Sequence, residues 1–316
     1  MSKRSDTVAA ESCIALGATD ARIEAYANRE LTLGSLKISR ALPIKERRLV
    51  GPWCFLDRFG PLTFNNGKPM DVAPHPHIGL QTVTWLLDGE VAHDDSLGYR
   101  SILRPGGLNV MTSGGGIAHA EQTPPDHTGR LNGAQLWVAL PDQHRHMTAT
   151  FEGLADVPIV ESRAGLIRVF AGTHQGQTSA ATFFSELLGA DVEVHRRQTL
   201  ELPLKPQFEH ALLLLSGDAM LGDQPLENRV LYYLGTTRSH AHVSSRKGCR
   251  LLLIGGPPFP EPILMWWNFV ARTQEEIAEA RADWEQGHRF GEVTAYDGPR
   301  LNAPSLVRFA RPNPVS

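Results

Sequence analysis

His75-Pro-His-Ile-Gly-Leu-Gln-Thr-Val-Thr-Trp-Leu-Leu-Asp-Gly89 is the stretch from which the fold can be read, and His119-Ala-Glu121 is its counterpart downstream. Each piece carries two candidate ligands at i and i+2, positions that point to the same face of a β-strand. Two such strands facing each other across a small barrel would aim three imidazoles and one carboxylate, those of His75, His77, His119 and Glu121, at one interior point. Val83 to Leu87 is an apolar run, and Asp88-Gly89 after it is a hairpin dipeptide, so the same stretch reads as a buried strand entering a turn.

Outward from this stretch the texture stays β. Leu33, Leu36, Ile38, Leu42 and Ile44 bracket polar residues in short pieces, Phe55-Leu-Asp57 leads to a turn at Phe59-Gly-Pro61, and Gly114-Gly-Gly116 runs straight into His119-Ala-Glu121. Gln135 to Leu140 closes the first half as an alternating strand. Leu166–Ala171, Asp191–Leu204, Ala211–Leu221, Arg229–Leu234 and Arg250–Ile254 are strand candidates of a second half. Leu86-Leu-Asp-Gly-Glu-Val91 matches Leu214-Leu-Ser-Gly-Asp-Ala219 at an offset of 128 residues, a strand and Gly hairpin once per half, which implies a duplicated barrel. The same offset carries the four ligand positions onto Pro203, Lys205, Lys247 and Cys249, so the second barrel is expected to hold no metal. Thr273-Gln-Glu-Glu276 is a capping box, and Ile277, Ala280, Arg281 and Trp284 follow at helical spacing, giving one helix over Gln274 to Gln286. The expected plan is all-β: a flexible segment over 1–30, a metal-bearing barrel over 31–158, a second barrel over 159–256, and a helix and tail over 257–316.

Composition bounds the function. A hydrophobic fraction of 41% with 21% charged residues suits a globular core. A net charge of −3 gives no electrostatic reason for nucleic-acid or membrane binding. No apolar leader opens the chain, no apolar run is long enough to span a bilayer, and three scattered cysteines suit a reducing compartment, so a cytoplasmic address is expected.

Three imidazoles and a carboxylate leave two positions of an octahedron open, which suits Fe(II), Mn(II), Ni(II) or Cu(II) better than a closed structural zinc site. An open ion could bind an organic anion and O₂ together, with Glu121 able to take a substrate proton. The competing explanation is chance: 13 histidines in 316 residues would give about half an i,i+2 pair. Three such pairs occur. His144/His146 follows Pro141 in a polar stretch and reads as a loop, and His240/His242 has no second ligand pair nearby. Only His75/His77 is embedded in a strand and answered by a second pair. Trp85, Met111, Trp137 and Phe55 are candidates for an apolar pocket over the ion, and Trp266-Trp267 reads as packing between the halves. Asp94 and Asp95, with His93, read as a turn, and Lys45-Glu-Arg-Arg48 as a solvated face.

His75-Pro-His-Ile-Gly-Leu-Gln-Thr-Val-Thr, Ala92-His-Asp-Asp-Ser and Gly114-Gly-Gly-Ile-Ala-His-Ala-Glu121 together resemble the pirin family of the cupin superfamily, and the likeness runs from Lys37 through Phe269-Val-Ala-Arg-Thr-Gln-Glu-Glu-Ile277. The resemblance implies two tandem cupin, jelly-roll-like barrels with a short C-terminal helix and one metal site, held by His75, His77, His119 and Glu121. It implies one divalent ion per chain, iron(II) first, with manganese, nickel, copper or zinc as alternatives. It implies a dioxygenase of the quercetinase type acting on a small aromatic substrate with O₂, or else a metal- or redox-sensing protein that regulates a transcription factor or an enzyme through a protein partner. Where the family pattern commonly has a Glu, this chain has Gln81, which by strand parity with His77 is expected to face the cavity beside Trp85 and Met111.

Overall fold

Short runs of β-branched and aromatic residues, cut by Gly and Pro every few positions, leave the chain little choice but strands. The computed structural model describes residues 7–8, 11–13, 22–33 and 36–306. In chain order it begins with β1 (Thr7–Val8), β2 (Glu11–Cys13), β3 (Glu24–Ala27), β4 (Arg29–Leu33), β5 (Leu36–Leu42), β6 (Trp53–Thr63) and β7 (Asp71–His77). It continues with β8 (Leu80–Gly89), β9 (Val91–Asp95), β10 (Arg100–Leu103), β11 (Leu108–Thr112), β12 (Ile117–Gln122), β13 (Arg130–Ala139) and β14 (Thr150–Leu154). The second half holds β15 (Ile159–Ser162), β16 (Gly165–His174), β17 (Gln177–Thr178), β18 (Leu188–Val194), β19 (Gln198–Pro203) and β20 (Glu209–Gly217). Then come β21 (Ala219–Leu221), β22 (Gln224–Leu226), β23 (Val230–Gly235), β24 (His240–Ser245) and β25 (Cys249–Gly256). The chain closes with β26 (Ile263–Trp266), β27 (Phe269–Ala271), helix α1 (Gln274–Gln286) and β28 (Ser305–Leu306).

The first barrel packs a seven-stranded sheet, ordered β14-β11-β8-β13-β6-β5-β4, on a four-stranded sheet, β10-β9-β12-β7. Phe59 and Leu86 of the larger sheet meet Val91 and Leu103 of the smaller. The second barrel repeats the plan, with β15-β16-β18-β25-β20-β23-β3 on β19-β24-β21-β22. The two larger sheets share one core, in which Trp53, Trp85 and Leu136 pack with Phe170, Leu213 and Tyr233. The repeated motif ends β8 and β20 alike, at Gly89 (φ +84°) and Gly217 (φ +83°).

The helix forms over Gln274–Gln286, with Thr273 and Glu276 completing the capping box and Ile277, Ala280 and Trp284 buried. The tail is tied down at Leu301, whose O accepts from Trp284 Nε1 (2.8 Å) and whose N donates to Pro74 O (2.9 Å); residues 307–316 lie outside the described residues.

Two expectations need correcting. The flexible segment assigned to residues 1–30 does not reach that far, because β3 is a strand of the second barrel, paired with β23, and β4 pairs with β5. Within that segment, residues 1–6, 9–10 and 14–21 fall outside the described residues. Nor is Lys45–Arg48 a uniformly solvated face. Arg47 is buried, stacks 3.6 Å over the Tyr233 ring and bonds Glu24 of β3 at 3.0 Å. Among the described residues no helix is long and apolar enough to cross a membrane.

Candidate metal centre

β7 and β12 do not face each other across the barrel; they are antiparallel neighbours in the four-stranded sheet, with His75 opposite His119 and His77 opposite Ile117. Adjacency achieves what facing strands would have done, because residues directly opposed across a ladder stand only about 5 Å apart at Cβ. The ring centroids lie 4.4 Å apart for His75/His119, 4.9 Å for His77/His119 and 5.0 Å for His75/His77. All three side chains are buried, and one ligand atom from each falls within 4.8 Å of the others.

Burial dominates their electrostatics. It pulls the His75 imidazole down to about 4. Burial first, then the neighbouring His75 ring, holds His77 and His119 well below the ordinary histidine range. All three are therefore neutral at neutral pH, the form that donates to a metal. His75 Nδ1 is tied to Ala73 O at 2.9 Å, which leaves Nε2 bare. His77 Nε2 and His119 Nε2 stand 3.0 Å apart. Nitrogens about 2.1 Å from a shared ion lie about 3.0 Å apart at a right angle and about 3.4 Å apart at the tetrahedral angle. The cluster thus fits a metal ion.

Glu121 occupies the same sheet face as His119, but a register shift between them against β7 displaces it from the imidazoles. Its carboxylate lies outside the three-histidine group and accepts from Thr84 Oγ1 at 3.3 Å. Burial raises its proton affinity above the usual carboxylate range, against the opposing influence of His93 and Thr84.

A cavity of about 450 Å³ opens over this cluster, lined by His75, His77, His119 and Glu121 at one end. Its walls include Phe55, Phe59, Trp137, Met265, Trp267 and Leu301, with Arg29 and Arg40 also in the lining. Phe55 and Trp137 are stacked (4.0 Å, 13°), and Arg40 lies over Phe55 while bonding Asp57 through both carboxylate oxygens.

Gln81 and Trp85 are not part of that wall. The chain turns a corner at Gly79 (φ +69°) and leaves the small sheet for the large one, so parity does not carry from His77 into β8. Thr82 and Thr84 face the metal cluster, whereas Gln81 and Trp85 point at the second barrel. Gln81 Nε2 donates to Thr112 Oγ1 and Thr182 O, both at 2.9 Å. Trp85 Nε1 donates to Asp191 at 2.9 Å, and its ring stacks on Phe170. Met111 is the cross-strand partner of Thr82, so it shares the cavity-facing side but is buried behind the lining.

His93 is the residue that reading the turn signals hides. It belongs to β9, is buried, and its Nδ1 lies 3.3 Å from His119 Nδ1. Asp95 does cap a turn, accepting from Leu97 N and Tyr99 N, yet its other oxygen lies 3.1 Å from His93 Nε2. The i,i+2 spacing of His93 and Asp95 was the available signal. Trp267, set apart from buried Trp266 by a left-handed backbone (φ +51°), faces the cavity. His144 and His146 lie in a turn, and His240 and His242 on an exposed strand face, away from the cluster.

The chain matches the family model for Pirin over residues 35–138 and that for the Pirin C-terminal cupin domain over residues 189–291. It is 43% identical over 274 residues to a Pseudomonas aeruginosa protein provisionally named a quercetin 2,3-dioxygenase, covering 86% of this chain and 87% of that one. A pirin-like protein of Caulobacter vibrioides is 34% identical over 266 residues, covering 82% of this chain and 91% of that one. The crystal structure of a quercetin 2,3-dioxygenase from Acinetobacter baumannii superimposes with a TM-score of 0.88 at 42% identity, covering 92% of this chain and 97% of that one. With both barrels matched and the histidine cluster placed in the first, the chain belongs to the pirin family of two-barrel cupin proteins.

Proposed function

We propose that this pirin is a metal-dependent dioxygenase that opens a flavonol-like substrate with O₂. The observation that carries the reading is the position of three neutral imidazoles at one end of a largely apolar cavity. The volume falls within the range of about 300–1,000 Å³ typical of small-molecule sites. The relatives named as quercetin 2,3-dioxygenases support the substrate class.

His75, His77 and His119 would hold the ion, with Glu121 completing the set; when bound, the ion supplies Lewis acidity and, as iron(II), an electron source for dioxygen. Iron(II) is the first assignment, and three imidazoles with a carboxylate suit it, as they suit manganese and nickel. The chain's own residues do the rest. Phe55 and Trp137 present aromatic and apolar surface for a planar ring system. Glu121, buried and more basic than a free carboxylate, is the group to take the proton of a substrate hydroxyl, and Thr84 orients it. Leu301 and Trp267 add apolar surface to the cavity wall.

The experiment is metal analysis of the purified protein, paired with quercetin turnover in air for the wild type and His119→Ala. About one ion per chain, lost together with turnover in the variant, is the expected result. Metal without turnover of any flavonol would discard the dioxygenase reading in favour of a sensor. Full metal content in His119→Ala would overturn the ligand assignment itself.

A further inference from the structure

The three imidazoles are not held alike. His75 is fixed by a carbonyl two residues away on its own strand, a local bond that any extended backbone could supply. His119 is fixed from another strand. In the register of β12 with β9, Glu121 lies opposite His93 and His119 opposite Asp95, so all four side chains share the interior face of the sheet. His93 then reaches diagonally to His119, Nδ1 to Nδ1 at 3.3 Å, and Asp95 Oδ2 meets its far nitrogen at 3.1 Å.

The protons in this chain can be placed by elimination. A carboxylate only accepts, so His93 Nε2 must carry a hydrogen. With His93 uncharged, its other nitrogen is an acceptor, and His119 Nδ1 then donates to His93 Nδ1. That leaves His119 Nε2 bare and aimed at His77 Nε2, 3.0 Å away. Little in the arrangement is free to rotate. His93 is clamped face to face on Phe151 (4.4 Å, 13°), and the other Asp95 oxygen is held by Leu97 N at 2.9 Å and Tyr99 N at 3.1 Å. Asp95 and His93 are both buried, which strengthens a charge-assisted bond.

From this geometry we propose that His93 and Asp95 are positioning residues for the metal. They lock His119 as an Nε2 donor and pass the carboxylate's negative charge to it through two hydrogen bonds, raising its donor strength above that of His75 and His77. The inference rests on the reading of His119 as a ligand. Carboxylate–histidine partners of this kind commonly change metal affinity by about 10- to 100-fold when removed.

The test uses the full-length protein stripped of metal and titrated with Co(II) against a competing chelator. Affinity and the visible d–d spectrum are recorded for wild type, His93→Phe, His93→Gln, Asp95→Asn and His119→Ala. His93→Phe keeps a ring against Phe151 but offers His119 no acceptor; it should weaken Co(II) about 10- to 100-fold and shift the d–d bands. His93→Gln, whose carbonyl can accept the His119 proton, should recover most of the affinity. Asp95→Asn keeps an oxygen for the turn but presents an NH₂ to His93, reversing its tautomer, and should weaken the ion as His93→Phe does. If His93→Phe does not fold, Asp95→Asn decides by the same two readouts. Co(II) affinity within twofold of wild type and an unchanged spectrum in the folded variants, with binding lost in His119→Ala, would overturn the positioning role alone. Co(II) retained by His119→Ala would overturn the ligand assignment on which it stands.

Discussion

One buried histidine away from the three-histidine cluster makes the pH dependence of folding readable. His210 on β20 is 1% exposed, and its ring lies against Gly255, where an added Cβ would come within 2.8 Å of it. Burial, helped by the nearby His174, pulls it down to about 4. Because the unfolded chain takes up this proton near pH 6.5, acid favours unfolding. The stability that the neutral ring contributes is complete above that pH, drains away between about 6.5 and 4, and changes no further below. Between pH 7 and pH 5 the loss is about 2 kcal/mol from this residue alone. His210→Gln should therefore lose about 2 kcal/mol less than wild type over that interval in urea unfolding, contributions common to both proteins cancelling. Equal losses in the two proteins would mean that the ring is already protonated or exposed in the folded state. The cluster of His75, His77 and His119 was legible at this scale and His210 was not. His75, His77, His119 and Glu121 announce themselves by pairing at i,i+2, whereas a lone histidine in an apolar run carries no mark of its depth. Arg47 makes the same point in reverse, since a basic run reads as solvated until a tyrosine face from the other barrel is found over its guanidinium.

The element that organises the site is the corner between β7 and β8. Ile78 O accepts from Val270 N (3.0 Å) and Gly79 N donates to Gly114 O (2.9 Å), so the corner is stitched to β27 and to the glycine turn before β12. Gly79 has φ +69°, and a Cβ there would meet Val270 O at 2.0 Å. No side chain fits without moving the backbone that carries His77. Gly79→Ala is expected to lower stability by about 1–3 kcal/mol from the left-handed conformation alone, with the collision added. It should also reduce metal content, whereas a surface glycine such as Gly98, with open space around it, should tolerate Ala better in both respects. Thermal melting and metal analysis of the two variants check this; unchanged metal content in a folded Gly79→Ala would show that the corner does not set the ligand strand. The corner also explains why the cavity walls were misjudged while the clustering of the three histidines was not. Alternation is reliable within a strand, so His75/His77 and His119/Glu121 share a face as expected. Across Gly79 the chain changes sheet and the period restarts, which puts Thr82 and Thr84 on the cavity side and Gln81 and Trp85 on the other. Burial does not distinguish those two faces, because residues 80–86 are buried on both; the alternation of Thr82 and Thr84 with Val83 and Trp85 was the available signal.

At the scale of the molecule the two barrels are expected to unfold as one unit, since the core between their large sheets belongs to both. Trp53 Nε1 lies 3.1 Å from both Leu188 O and Gly255 O, and Gly51 N donates to Glu209 at 2.6 Å, so the first barrel satisfies polar groups of the second. The sharpest junction is Asp191, 0% exposed, which accepts from Trp85 Nε1 of the first barrel and from the Arg250 guanidinium of the second. Removing one partner of a buried ion pair costs about 3–5 kcal/mol because the other is left uncompensated. Arg250 retains partial access to solvent, so Asp191→Ala should fall near the low end, about 3 kcal/mol. Asp191→Asn keeps an acceptor for Trp85 and should cost less. The shared core requires the loss to appear in both barrels at once, as one calorimetric transition displaced to lower temperature. Metal supplies the complementary measurement. An ion that binds only the folded first barrel stabilises by mass action whatever unfolds with it. Added Ni(II) should therefore raise the melting of the entire transition, in wild type and in Asp191→Ala alike. Two resolved transitions in wild type, with only the first moved by Ni(II), would show that each barrel stands alone and that the junction at Asp191 joins two independent domains.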